Sequence, residues 1–302
     1  MIARIKATSH SPSSSIFHNT NSEEPVTDKN LPLVQSQLDA FIRDGFLHLP
    51  GFIPESELID PDNDSMALIE RGLGDLDVDD RWLFQDDHET GHERCLYRVN
   101  GILDEDMSDS FQVLMAFPPL LKAVSQLMGG DHFATSVHSL VFKLPHHGVP
   151  ALWHQDPVQV FRFPVFNVDI YLDDATIDNG CLRAFPGSHL AGYQNSRHHP
   201  DFINSWTGGD DEANASGAVS VPARKGDVIV HATSVIHGSP WNRSNDLRRT
   251  IYYHFDHRSD VQLAGNRWPQ SAFARATQIT REAIACRASR RPDEQAFDYP
   301  PD

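Results

Sequence analysis

The sequence predicts a mainly β protein, a jelly roll with helices packed on one of its sheets, and three observations point there. From about residue 133 the chain breaks into short apolar segments near 134–144, 151–156, 164–173, 181–185, 218–221, 227–231, 234–238 and 249–257. Turn-forming clusters such as His146-His147-Gly148, Asp178-Asn179-Gly180, Pro186-Gly187-Ser188 and Lys225-Gly226-Asp227 separate them. Ahead of these strands, apolar residues recur at helical spacing, which supplies the helical layer. The 302 residues suit one decorated domain over 31–302 behind a tail of 1–30.

Taken in order, residues 1–30 are rich in Ser, Asn and Pro without apolar periodicity, and read as a disordered tail. Arg4 and Lys6 give it a faint likeness to a transit peptide, but the plain tail is the better reading. With no secretory apolar region and no peroxisomal address in Pro300-Pro301-Asp302, the expected compartment is the cytoplasm. Leu38, Phe41 and Ile42 share one face of a short helix ending near Gly45, and Phe46–Leu49 reads as a strand. Phe52-Ile53-Pro54 opens a second helix to about Arg71, 72–93 reads as an acidic loop, and Leu96–Ile102 as a strand with Arg98 and Asn100 on one face. Pro118-Pro119 starts an amphipathic helix that Gly129-Gly130 closes. The interval 190–217, with Trp206 and Gly208-Gly209, has the length and composition of a lid. Residues 274–291 predict a helix bearing Arg275, Arg281, Arg287, Arg290 and Arg291, whose basic charge hints at a contact with the acidic segment, within the chain or between subunits, although a solvated face is the better reading.

Net charge is −17, and 55–109 alone holds 18 acidic against 4 basic residues, a net −14. Such a surface repels phosphate backbones, which argues against nucleic acid as a partner. No apolar run is long enough to cross a bilayer, so no membrane partner is expected. Asp75, Asp77, Asp79 and Asp80 lack the Gly and terminal Glu of a calcium loop. Cys95, Cys181 and Cys286 are odd in number and far apart, which excludes a disulfide framework or zinc ribbon and fits a reducing compartment.

Trp153-His154-Gln155-Asp156 carries the chemistry. Side chains two apart on a strand share a face, so His154 and Asp156 can grip one ion together. His237, in Val235-Ile236-His237-Gly238-Ser239, is the candidate third ligand, with His189 and His231 as rivals. Two histidines and one carboxylate leave open positions of the kind non-heme Fe(II) uses for a co-substrate and O2. Eleven residues after His237 stands Arg248, in a segment that otherwise reads as core. A buried guanidinium there needs a carboxylate, Ser239 can donate to the same anion, and Arg249 is the alternative anchor. Asn167, Asp169 and Tyr171 share one face of a strand, opposite Val168, Ile170 and Leu172. If that face lines the cavity, Asp169 favours a cationic or hydroxyl-rich substrate over a fatty acyl chain. Arg98, Asn100 and Trp206 are further pocket candidates.

Together, Lys143-Leu144-Pro145, Trp153-His154-Gln155-Asp156, Asn179-Gly180-Cys181-Leu182 with Pro186-Gly187-Ser188-His189, and His237-Gly238-Ser239 followed by Arg248 resemble the phytanoyl-CoA dioxygenase family of Fe(II)/2-oxoglutarate oxygenases. The resemblance spans about 36–257 and is densest over 143–253. It implies a cupin-like double-stranded β-helix in which His154, Asp156 and His237 bind Fe(II). It further implies that Arg248 and Ser239 hold the distal carboxylate of 2-oxoglutarate, with Gln155 nearby. Relatives that halogenate replace the carboxylate that stands here as Asp156, so its presence favours hydroxylation. The expected activity oxidises a small organic substrate, most simply at a C–H bond, with release of succinate and CO2. Desaturation, epoxidation or ring closure are alternatives at the same site, as is a metal- or sugar-binding jelly roll without turnover. The expected assembly is a monomer or homodimer.

Overall fold

The structure, a computed structural model, describes residues 31–74, 78–87, 91–156, 162–192, 217–263 and 270–301. The tail 1–30, Asp75, Asp77 and most of the expected lid, Trp206 included, lie outside them. The chain opens with α1 (Gln35–Asp44), β1 (Phe46–Leu49) and α2 (Glu55–Gly74). Next come β2 (Trp82–Asp87), β3 (His92–Asn100), α3 (Asp109–Met115) and α4 (Pro118–Met128). The jelly-roll strands follow as β4 (Phe133–Lys143), β5 (Ala151–His154), β6 (Phe166–Tyr171), β7 (Leu182–Ala184), β8 (Val219–Val221), β9 (Val228–Ala232), β10 (His237–Ser239) and β11 (Arg248–His257). Two helices, α5 (Arg258–Leu263) and α6 (Gln270–Arg290), complete it.

Two antiparallel sheets form, a seven-stranded one ordered β1-β9-β6-β11-β4-β3-β2 and a four-stranded one ordered β5-β10-β7-β8. The large sheet is apolar on its outer face. Phe166, Val168 and Ile170 of β6, Ile251, Tyr253 and Phe255 of β11, and Leu140 and Phe142 of β4 join one core with Phe111, Leu120, Val124 and Ile279 from the helices. Alternation along each strand then sends the polar set Asn167, Asp169, Arg248, Thr250 and Tyr252 to the inner face, toward the small sheet. No single helix among the described residues is long and apolar enough to cross a membrane.

Three sequence expectations need correction. The stretch 72–93 is not all loop: α2 runs to Gly74, and β2 pairs with β3 as the sheet's edge. Its acidic residues concealed it because charge on an edge strand discourages edge-to-edge pairing rather than strand formation. Second, His237 opens β10 instead of ending a strand. Residues 233–236 form the corner by which the chain leaves β9 in one sheet for β10 in the other. Third, α3 and α5 lie in stretches the periodicity left unassigned. The basic helix does meet acidic partners within the chain: Arg287 is ion-paired to Glu57 and Glu294, and Arg290 lies 3.5 Å from Asp109.

Gly180 shows how tightly the turns are built around the site. Its φ of +87° is left-handed, as the Asp-Asn-Gly sequence suggests, and an added Cβ would stand 2.6 Å from the Pro240 carbonyl oxygen. With no side chain in the way, the Lys143 stem passes close by and Ser239 Oγ donates to the Gly180 carbonyl at 2.9 Å.

Candidate active site

β5 and β10 are neighbours in the small sheet, and their register sets His154 directly opposite His237. The chain continues past β5 so that Asp156 N–H donates to the Thr233 carbonyl at 2.9 Å, which ties the carboxylate to the corner before β10. One ligand atom each from His154, Asp156 and His237 lies within 4.8 Å of the others. His154 Nδ1–H donates to the Leu152 carbonyl at 2.6 Å and His237 Nδ1–H to that of Val235 at 2.9 Å. A carbonyl only accepts, so each ring carries its proton on Nδ1 and turns an unprotonated Nε2 inward, the form a metal needs. Burial first, then the proximity of the His154 and His231 rings, lower the His237 pKa to about 3, so that ring is neutral at physiological pH. Burial opposes ionisation of Asp156, but the contact with His154, whose Nε2 lies 3.5 Å from Oδ1, and then the other neighbouring imidazoles hold its carboxyl well below the usual carboxylate range. One anionic and two neutral donors on one side of a cavity are a chemically suitable set for a divalent non-heme iron.

The cavity encloses about 210 Å³ between the two sheets. At one end it meets Arg248, Lys143, Ser239, Thr250 and Tyr171. Arg248 is buried, donates from Nη1 to Thr250 Oγ1 at 2.9 Å and from Nη2 to Ser239 Oγ at 3.3 Å, and its Nε has no partner. Among the described residues no carboxylate comes within ion-pair distance of it. Lys143 is buried beside it and donates to the Val149 carbonyl. Burial, then the Arg248 charge, push the Lys143 pKa well down, and burial lowers that of Arg248 too. A buried guanidinium at this end of the cavity, with no carboxylate in ion-pair distance among the described residues, describes a receptor for an anion.

Other expected residues divide between wall and scaffold. Asp169 lines the cavity, where its Oδ2 lies 3.0 Å from His231 Nδ1. Arg98 lines it as well, with its guanidinium 5.3 Å from the Tyr252 ring centre. Asn100 is not on the wall; its Oδ1 accepts from Arg98 Nε at 2.7 Å and from Ser139 Oγ at 2.9 Å, fixing the arginine. Gln155 is turned away from the expected co-substrate contact. Its amide donates to the carbonyls of Ser234 and Gly192, because a residue between two inward neighbours on a strand points outward. Of the rivals, His189 is remote, bonded to the Ile42 carbonyl at 2.9 Å. Arg249 is spent on the outer face in a bidentate pair with Asp173, at 2.8 and 2.7 Å, and an ion pair with Asp62. His231 stands with its ring centre 4.5 Å from that of His237, as a neighbour of the triad.

Sequence reasoning assigned no role to Lys143, Tyr252, His254 or Asn167. The usable signal was parity: counting by twos from Arg248 along β11 reaches Thr250, Tyr252 and His254.

The phytanoyl-CoA dioxygenase family model matches residues 41–250. Phytanoyl-CoA dioxygenase domain-containing protein 1 of Mus musculus is 25% identical over 274 residues, covering 78% of this chain and 92% of the mouse protein. Among solved structures, AviO1 from Streptomyces viridochromogenes is 30% identical with a TM-score of 0.59, over 73% of this chain and 93% of that one. EctD from S. alaskensis, crystallised with 2-oxoglutarate and 5-hydroxyectoine and separately with bound Fe, shares the fold. In the first of these crystals the TM-score is 0.60 at 20% identity, over 79% of this chain and 80% of that one.

Proposed function

From the premise that this chain belongs to the phytanoyl-CoA dioxygenase family of non-heme Fe/2-oxoglutarate-dependent oxygenases, we propose that it hydroxylates a C–H bond of a small polar metabolite. His154, Asp156 and His237 would hold the Fe(II), and Arg248 with Thr250 would hold the distal carboxylate of 2-oxoglutarate, while Ser239, whose hydroxyl proton goes to the Gly180 carbonyl, would brace the guanidinium as an acceptor. The observation that carries this reading is the buried Arg248, without an acid among the described residues, at the end of the cavity that holds the triad. A metal-binding or sugar-binding jelly roll without turnover has no use for that cation. Iron bound at the triad supplies the oxidising chemistry, with O2 consumed and succinate and CO2 released. The chain's own residues supply position. Nδ1 bonds to Leu152 and Val235 aim the imidazoles, Gly180 and Lys143 close the anion end, and Tyr171, Leu182 and Val149 exclude water from the space between.

Anaerobic titration with Fe(II) and 2-oxoglutarate tests this directly. The weak visible charge-transfer band of the chelate is expected in the wild type and absent in His237→Ala. A wild type that binds the metal and shows no band would overturn the oxygenase reading.

The wall offers the substrate a guanidinium at Arg98 and a carboxylate at Asp169, the latter faced by His231. Burying an acyl chain against these groups would strand them, so we infer a substrate with hydroxyl or charged groups. In a screen by O2-dependent succinate release, Asp169→Ala is expected to raise the KM of the best substrate about tenfold, the loss of one charge-assisted hydrogen bond. An unchanged KM would remove Asp169 from the substrate site.

A further inference from the structure

Resting on the ligand set proposed above, we propose that Asn167 is a positioning residue that holds Asp156 Oδ2 back, so that the carboxylate meets the metal through Oδ1 alone. Asn167 is fully buried as the second residue of β6, an interior strand, where an asparagine is disfavoured unless its amide is satisfied. Every side-chain bond it makes leads to the site. Its Nδ2 donates to Asp156 Oδ2 at 2.6 Å and to His231 Nε2 at 2.9 Å, and its Oδ1 accepts from His254 Nδ1–H at 2.7 Å. His254 is braced in turn by Asp256, 3.2 Å from its Nε2, and Asp256 accepts from Ser136 Oγ.

The direction of this chain is fixed by its contacts. A carboxylate oxygen accepts only, so the Asn167 atom 2.6 Å from it must be the amide nitrogen. A flipped amide would set two acceptors against each other. Asp156 is thereby held with Oδ2 on Asn167 and Oδ1 turned to the triad, 3.5 Å from His154 Nε2.

What this does for the reaction follows from counting positions. Three single-point protein ligands on a six-coordinate iron leave two positions for a chelating 2-oxo acid and one for O2. A carboxylate free to bind through both oxygens would occupy one of those. Asn167 would thus act on co-substrate binding and leave metal capture largely alone, which separates it from a residue that only supports the fold.

The test is Asn167→Leu, close in volume but unable to donate, with Asn167→Val as a smaller, strand-favouring alternative should the first not fold. Fe(II) affinity without co-substrate is expected to stay within about threefold of wild type, since a freed oxygen can take a vacant position. The 2-oxoglutarate concentration needed to half-saturate the Fe(II) protein is expected to rise about tenfold or more, with a weakened or shifted charge-transfer band. A wild-type band and titration in either folded variant would overturn the proposal. Parallel loss of Fe(II) and 2-oxoglutarate affinity would do the same, since it would mark Asn167 as mere support. Absence of the band in the wild type would instead sink the reading of the site on which the proposal rests.

Discussion

Asp156→Ala is expected to reduce O2-dependent succinate release by about 1,000-fold or more, equivalent to about 4 kcal/mol of lost stabilisation, in a protein that still folds. Asp156 is the one anionic donor of the triad, and it is ionised against the pull of burial because His154 and His237 face it. Two neutral imidazoles are left without it, and the affinity for a divalent cation falls with the lost charge. The fold has little reason to fail, because Asn167 Nδ2 keeps His231 Nε2 as an acceptor after the carboxylate is gone. A melting temperature near that of wild type for the metal-free variant, with succinate release at background, would place the loss in the chemistry. Release above about a tenth of the wild-type rate would show that the carboxylate is not a ligand and that the iron sits elsewhere.

Much of this site was legible because strand parity converts sequence into geometry. His154 and Asp156, two apart, had to share a face, and the structure adds that β5 and β10 put His237 opposite the first of them. The same rule, applied one residue further, sends Gln155 outward. Parity was silent where both faces are buried. Every residue of β6 is buried, so Asn167-Asp169-Tyr171 and Val168-Ile170 were two faces without a label for inside or outside. Only the register of β6 on β11, which sets Asp169 beside Tyr252 and Asn167 beside His254, identifies the inner one. Lys143 was hidden for another reason. It ends an apolar strand, where a lysine ordinarily reaches solvent, and the turn at Gly180 that encloses it is 37 residues away in sequence.

Arg248 and Arg249 should separate binding from stability more cleanly than any other pair in the chain. They are consecutive on β11 and equally buried, at 6% exposure each, yet alternation sends one to the cavity and the other to the outer face. Arg249 is compensated by Asp173, Asp62 and Ser65. Arg249→Met would strand those acids, and is expected to cost about 3 kcal/mol of folding free energy in chemical denaturation while leaving 2-oxoglutarate affinity unchanged. Arg248 has hydroxyl partners but no acid among the described residues, so in the metal-free protein its charge is a burden that burial already registers as a lowered pKa. Arg248→Met should leave that protein as stable as wild type or more so, since a buried charge is replaced by an apolar chain of similar length. The cost appears on binding: the Kd of the Fe(II) protein for 2-oxoglutarate is expected to rise about 100-fold, near 3 kcal/mol, with Fe(II) affinity retained. The anion should also raise the melting temperature of the Fe(II) form of wild type at concentrations that leave Arg248→Met unchanged, because a ligand stabilises the folded state in proportion to its affinity for it. Were Arg248→Met to unfold readily and bind 2-oxoglutarate normally, the guanidinium would be structural and the anion end of the cavity would have to be sought elsewhere.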